Sequence, residues 1–134
     1  MAFDRVRRDK INKKVILDSS AILMFFERFV DWEKELDRLL GAYHVVVPKA
    51  VVRELQMLAQ RASGQKKAAA ALKLITKFET VDDDATSADE ALLNIAVKTK
   101  GIVVTNDTEL RDRLRSRRIP VIFLRGKKKL ALEE

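Results

Sequence analysis

Lys14-Val15-Ile16-Leu17-Asp18-Ser19-Ser20-Ala21-Ile22-Leu23 is the stretch on which the fold turns. A short apolar run that ends in an acid and two serines reads as a parallel strand, buried on both faces and turning at once into a helix. Ser19 or Ser20 is expected to cap that helix, which runs through Leu23, Phe26 and Phe29.

Working outward, the same alternation repeats. A helix over 32–40 stops at Gly41, and a strand over 43–47 leads to Pro48, which opens the next helix in its first turn. That helix carries Val51, Leu55, Leu58 and Ala62 on one stripe and breaks at Ser63-Gly64. An alanine-rich helix over 65–78, a short strand at Thr80-Val81 and a solvated acidic turn, Asp82-Asp83-Asp84, come next. Ser87 and Glu90 form a capping box for a helix ending near Lys100-Gly101. A strand over 102–105, a helix over 107–116 and a last strand over 121–124 complete the chain. Strands alternating with helices predict a three-layer α/β/α sandwich around a mainly parallel sheet. Ligands of such sheets bind at the carboxyl ends of the strands, where Asp18 and Asp107 fall.

Composition narrows the chemistry. At 134 residues with 47% hydrophobic content, the chain is expected to form one domain over 1–134. Its basic N- and C-terminal arms carry Arg5, Arg7, Arg8, Lys10, Lys13 and Lys14, and Arg125, Lys127, Lys128 and Lys129. The absence of cysteine excludes disulfides, thiolate zinc sites and cysteine nucleophiles. His44 is the only histidine, so histidine-based triads or metal cages would rest on one residue. No apolar stretch approaches the roughly 20 residues of a membrane span, and the N-terminus lacks a signal-peptide pattern. A cytoplasmic protein with no membrane partner is expected. The net charge of +7 favours a polyanion, with nucleic acid first, although a basic surface can also serve solubility alone.

Carboxylates remain as the reactive groups. Asp18 and Asp107 each end a strand and begin a helix, where capping is the plain structural role. Asp89 is more telling, because it shares a helical face with Ala85, Leu92, Leu93 and Ala96, which aims a carboxylate inward. A buried unpaired charge costs several kcal/mol, so it calls for a cation or for donors. Glu54 lies on the border of its helix's apolar stripe, beside Val51 and Leu58. Four acids converging on one cleft would raise each other's pKa unless a divalent cation neutralised them, and an all-oxygen set suits Mg²⁺ or Mn²⁺. Such a site can hydrolyse a phosphodiester, and a basic protein can bind the substrate.

Four segments, taken in order, resemble PIN-domain nucleases: Val15-Ile-Leu-Asp-Ser-Ser-Ala-Ile22, Val47-Pro-Lys-Ala-Val-Val-Arg-Glu-Leu55, Ser87-Ala-Asp-Glu-Ala-Leu-Leu93 and Ile102-Val-Val-Thr-Asn-Asp-Thr-Glu-Leu110. The resemblance implies a five-stranded sheet in the order 3-2-1-4-5 and cleavage of single-stranded RNA dependent on Mg²⁺ or Mn²⁺. It assigns Asp18, Glu54, Asp89 and Asp107 to the acidic positions. Ser19, Thr105 and Asn106 match polar residues that orient the carboxylates or bound water, and Glu109 matches a further acid that could reach the metal through water. The closing stretch from Ile119 to Lys129 is similar to archaeal members related to small-subunit ribosomal-RNA-processing nucleases. VapC-type toxins share the same acids, and some members keep the fold as non-catalytic RNA-binding adaptors. The implied partners are RNA, bound in part by Arg125, Lys127, Lys128 and Lys129, and a ribosome-assembly factor or an antitoxin. A homodimer could use the apolar helix over 22–29.

Outside the site, His44, Trp32 and Asp112 are read as packing or surface residues. A dehalogenase-type phosphatase would need an acid where Ser20 stands, and a phosphorelay receiver would need acids and a late lysine that the chain lacks.

Overall fold

The computed structural model describes residues 13–61 and 65–134. Within them the order is β1 (Lys13–Leu17), α1 (Ser19–Glu27), α2 (Trp32–Leu40), β2 (Tyr43–Pro48), α3 (Lys49–Ala59), α4 (Gln65–Ile75), β3 (Glu79–Val81), α5 (Ala88–Thr99), β4 (Ile102–Val104), α6 (Thr108–Ser116), β5 (Val121–Arg125) and β6 (Lys129–Glu133). Ala62 of the expected stripe, the expected break at Ser63-Gly64, and Arg5, Arg7, Arg8 and Lys10 of the N-terminal arm lie outside the described residues.

The sheet runs β3-β2-β1-β4-β5-β6 and is flanked by helices. Its first five strands are parallel, in the expected order, while β6 pairs antiparallel with β5 from Val121↔Glu133 to Arg125↔Lys129. The sixth strand corrects the five-stranded expectation. The basic C-terminal arm runs through the β5–β6 hairpin, with Gly126 at φ +79 opening the turn that holds Lys127 and Lys128. Only a residue without a Cβ takes that backbone angle at little cost.

Val15, Ile16 and Leu17 of β1 are fully buried, as are Val103 and Val104 of β4 beside them. Central parallel strands are covered on both faces, which is why β1 reads as an apolar run, and each such side chain contributes roughly 1.5–3 kcal/mol. The close approach of β1 and β4 needs Gly101, where a Cβ would stand 2.9 Å from the carbonyl oxygen of Lys14. The left-handed C-cap of α5 is Lys100 (φ +52), not the glycine beside it.

The caps differ from expectation at three helices. Asp18, not a serine, is the N-cap of α1, and Pro48 ends β2 and caps α3 from outside the first turn. Ser87 caps α5 by accepting the N–H of Glu90 at 3.2 Å, but the carboxylate of Glu90 turns to Arg113, so the box is half formed. Trp32 packs, stacked on Phe25 with ring centroids 5.9 Å apart and edge-on to Phe78 at 5.4 Å. Helix α1 buries Ala21, Ile22, Met24 and Phe25 in the core, and Phe29, two residues past its end, is 79% exposed. Among the described residues, no helix is long and apolar enough to cross a membrane.

Candidate active site

From the crevice between β1 and β4 the sheet extends through β2 and β3 on one side and β5 on the other, so the carboxyl ends of these two strands are where a ligand site is expected. The N–H of Asp18 donates to the carbonyl of Val104 at 3.0 Å, joining the two strand ends. Thr105, Asn106 and Asp107 follow β4 directly. Glu54 rides on α3, which leaves β2 at the same pole, and Asp89 is the second residue of α5.

Asp18 is 4% exposed, and donors surround it. Its Oδ1 accepts the N–H of Ser19 at 2.8 Å, and its Oδ2 accepts the hydroxyls of Ser20 and Thr105, each at 2.7 Å. Charge-assisted bonds of this kind hold an anionic carboxylate in one orientation. The fully buried Thr105 hydroxyl also accepts the N–H of Asp107 at 3.1 Å, and the Ser20 hydroxyl accepts the N–H of Asn106 at 3.1 Å.

Asp107 is exposed and does cap α6, its Oδ1 accepting the N–H groups of Glu109 at 2.9 Å and Leu110 at 3.2 Å. Glu54 is exposed, and its carboxylate accepts the Ser19 hydroxyl, which ties α3 to the start of α1. Asp89 stands at the cleft rim with its side chain 44% exposed, not fully inward as the helical wheel suggested. It lies in the first turn of α5, where the periodicity buries Leu92 and Leu93 while the helix start still faces the cleft. Arg113 of α6 comes within 3.8 Å of it and donates to Glu90 at 2.6 Å.

Burial pushes the Asp89 carboxyl above its usual range, and the charges of Asp18, Asp107 and Glu54 push it the same way, against the pull of Arg113. All four expected acids therefore share one field. Their donor chemistry, carboxylate oxygen throughout, fits a hard divalent cation. They are not arranged as a closed cage: among the described residues no three acids or histidines cluster tightly enough to grip an ion as they stand.

Of the surrounding residues, Ser19 and Thr105 make side-chain contacts to the acids, whereas Asn106 contributes its backbone N–H. Glu109 is exposed in the first turn of α6, and its charge acts on Arg113. Arg125, Lys127, Lys128 and Lys129 are exposed around the β5–β6 turn, at the carboxyl end of β5 and so at the same pole as the acids.

The contact of Ser20 with Asp18 and that of Arg113 with Asp89 go beyond the sequence reading, which offers Ser20 only as a helix cap. The doubled serine after Asp18 was a usable signal for the first, but the evenly spaced arginines of α6 gave none that singled out Arg113. Asp83 corrects the solvated-turn expectation: its side chain is 5% exposed, accepting the N–H of Ala85 at 2.9 Å and the amide of Asn94 at 3.1 Å. His44 pairs with Glu79 at 2.9 Å across β2 and β3, and Asp112 is an exposed neighbour of Arg115.

Residues 15–127 match the family described as PIN like domain. The chain is 32% identical over 121 residues to Ribonuclease VapC4 of Methanocaldococcus jannaschii, covering 86% of this chain and 92% of that protein. It is 33% identical over 135 residues to Ribonuclease VapC9 of Archaeoglobus fulgidus, covering 99% and 98%. The structure of the PIN domain endonuclease Utp24 superposes with a TM-score of 0.77 at 24% identity, covering 90% of each chain, a likeness of fold. The chain belongs to the PIN-like domain family.

Proposed function

We propose that this chain is a metal-dependent endoribonuclease acting on single-stranded RNA, with Asp18, Glu54, Asp89 and Asp107 holding Mg²⁺ or Mn²⁺. The observation that carries this reading is the convergence of Asp18, Glu54 and Asp107 at the β1–β4 crevice through Ser19 and Thr105, with Asp89 near enough for their charges to act on it. The ribonuclease names of two relatives that span nearly the whole chain support it. A bound divalent cation would supply Lewis-acid assistance to phosphodiester hydrolysis.

The chain's own residues divide the remaining work. Thr105 and Ser20 fix the rotamer of Asp18, Ser19 fixes Glu54, and the N–H groups at the start of α6 fix Asp107. Arg113 offsets part of the negative field at Asp89. In this reading Arg125, Lys127, Lys128 and Lys129 bind the phosphates of an entering strand, and Glu109 reaches the metal through water.

Two readings of the biological substrate stand. Ribosomal-RNA processing, alongside a ribosome-assembly factor, follows from the resemblance of the closing stretch. A VapC-type toxin with an antitoxin partner is favoured by the names of both relatives. The test is incubation of the purified chain with labelled single-stranded RNA in Mn²⁺, Mg²⁺ or EDTA, beside Asp18→Asn. Cutting that needs metal and Asp18 supports the nuclease. Binding without cutting on varied RNAs overturns it in favour of an RNA-binding adaptor.

A further inference from the structure

The pole opposite the acids carries a second concentration of positive charge. Lys13 opens β1, Lys100 precedes β4, and Arg117 and Arg118 precede β5, so the parallel strands bring all four to the amino ends of the sheet. All four are exposed, and none of them forms an ion pair among the described residues. Arg111, Arg113 and Arg115 of α6, by contrast, are all engaged by carboxylates.

Lys100, Arg117 and Arg118 border a cleft of 260 Å³ whose floor includes Val97 and Pro120. Val97 is 59% exposed, an apolar side chain left open between cations. The neighbouring acids are Glu133 and Glu134, which line the adjoining cleft with Arg118, and Glu133 is already bound by Arg115 and Arg111. Uncompensated cations around an apolar floor fit a phosphate backbone with its sugars and bases against the floor.

We propose that Lys13, Lys100, Arg117 and Arg118 form a second RNA-binding surface, separate from the acid cleft, that holds a distal part of a long RNA. This rests on the reading of RNA as substrate. Lys13 and Asp18 stand five steps apart along β1, about 16 Å through the sheet at roughly 3.3 Å per residue, and the path around the outside of the molecule is longer, so a short RNA seated in the cleft leaves this surface empty while a long one engages both. Length dependence is therefore its signature.

The test is fluorescence anisotropy in EDTA with 8-nucleotide and 30-nucleotide single-stranded RNAs, across a salt series. The variant is Lys100→Asn with Arg117→Gln and Arg118→Asn. Asparagine is chosen because Lys100 and Arg118 have left-handed backbones, at φ +52 and +59, which it tolerates. For the 30-nucleotide RNA, affinity falls about tenfold and the salt slope drops by about 2, from roughly 0.7 per lost phosphate contact. Affinity for the 8-nucleotide RNA stays within about twofold. Unchanged binding of the long RNA, or equal loss at both lengths, overturns the proposal. Arg117→Gln alone, which leaves both left-handed positions intact, should lower the slope for the long RNA by about 0.7, and no change there overturns it as well. A chain that binds long RNA through this surface but never cuts removes the nuclease and leaves the surface. A chain that cuts while the triple variant binds normally does the reverse.

Discussion

The Thr105 hydroxyl joins two of the site acids: it donates to Oδ2 of Asp18 at 2.7 Å and accepts the N–H of Asp107 at 3.1 Å. Thr105→Val keeps the shape of this fully buried side chain but removes both bonds. Activity on single-stranded RNA should fall roughly 10–100-fold with the fold retained, since orienting partners of metal-binding carboxylates contribute on that scale. Wild-type rates in the variant would show that Asp18 does not depend on this hydroxyl.

Asp89 is held above its usual pKa by burial and by its acidic neighbours, so its charge opposes folding. For a raised carboxyl the penalty is complete above the folded pKa and vanishes below the unfolded one. Asp89→Asn should therefore raise the melting temperature at pH 7 by about 2 °C, or roughly 0.5 kcal/mol after discounting for exposure, while abolishing cleavage. The gain should be gone near pH 3. A variant that melts lower than wild type at pH 7 would contradict the like-charge crowding.

Glu35 holds the β5–β6 hairpin against α2. Its carboxylate accepts two bonds from Arg38 and the N–H of Leu130 at 2.8 Å, while Arg38 also donates to the Leu130 carbonyl at 2.8 Å. Arg38 and then the Leu130 N–H bring its pKa down to about 2, against the effect of burial. A depressed carboxyl stabilises above the unfolded pKa of 4.5, and the stabilisation is lost as pH falls through about 2. Glu35→Gln should cost about 2 kcal/mol at neutral pH, with the difference from wild type closing between pH 5 and pH 2. Denaturant titrations at three pH values measure it, and a pH-independent difference would rule out the ionic clamp.

Neutralising Lys127, Lys128 and Lys129 together should weaken RNA of every length and lower the salt slope by about 2. Loss confined to long RNA would place the cleft's entry elsewhere.

The legible parts of this molecule were those that local chemistry dictates. Apolar β1 and β4 and the acids at their ends follow from burial on both faces of a parallel sheet, and Gly41 follows from its helix stop. What escaped depends on contacts distant in sequence. Lys129-Leu130-Ala131-Leu132-Glu133 forms an edge strand, but the lysines at its start mask its pattern as part of a basic arm. Glu35 looks like any exposed helix acid until Leu130, 95 residues on, comes beside it. Asp89 stands less deep than its helical face implies, because a helical wheel gives a direction but not how far a first turn stands from the sheet. Arg113 differs from the other arginines of α6 only through its contacts with Asp89 and Glu90 of α5.

The central claim is that Asp18, Glu54, Asp89 and Asp107 act as one cation site. Calorimetric titration of Mn²⁺ into the wild-type chain and into Asp18→Asn, Glu54→Gln, Asp89→Asn and Asp107→Asn measures this without reference to turnover. Saturable binding that weakens at least about tenfold in each of the four variants is the predicted result. Mn²⁺ affinity unchanged in any one of them would remove that residue from the site, and affinity unchanged in all four would contradict the claim.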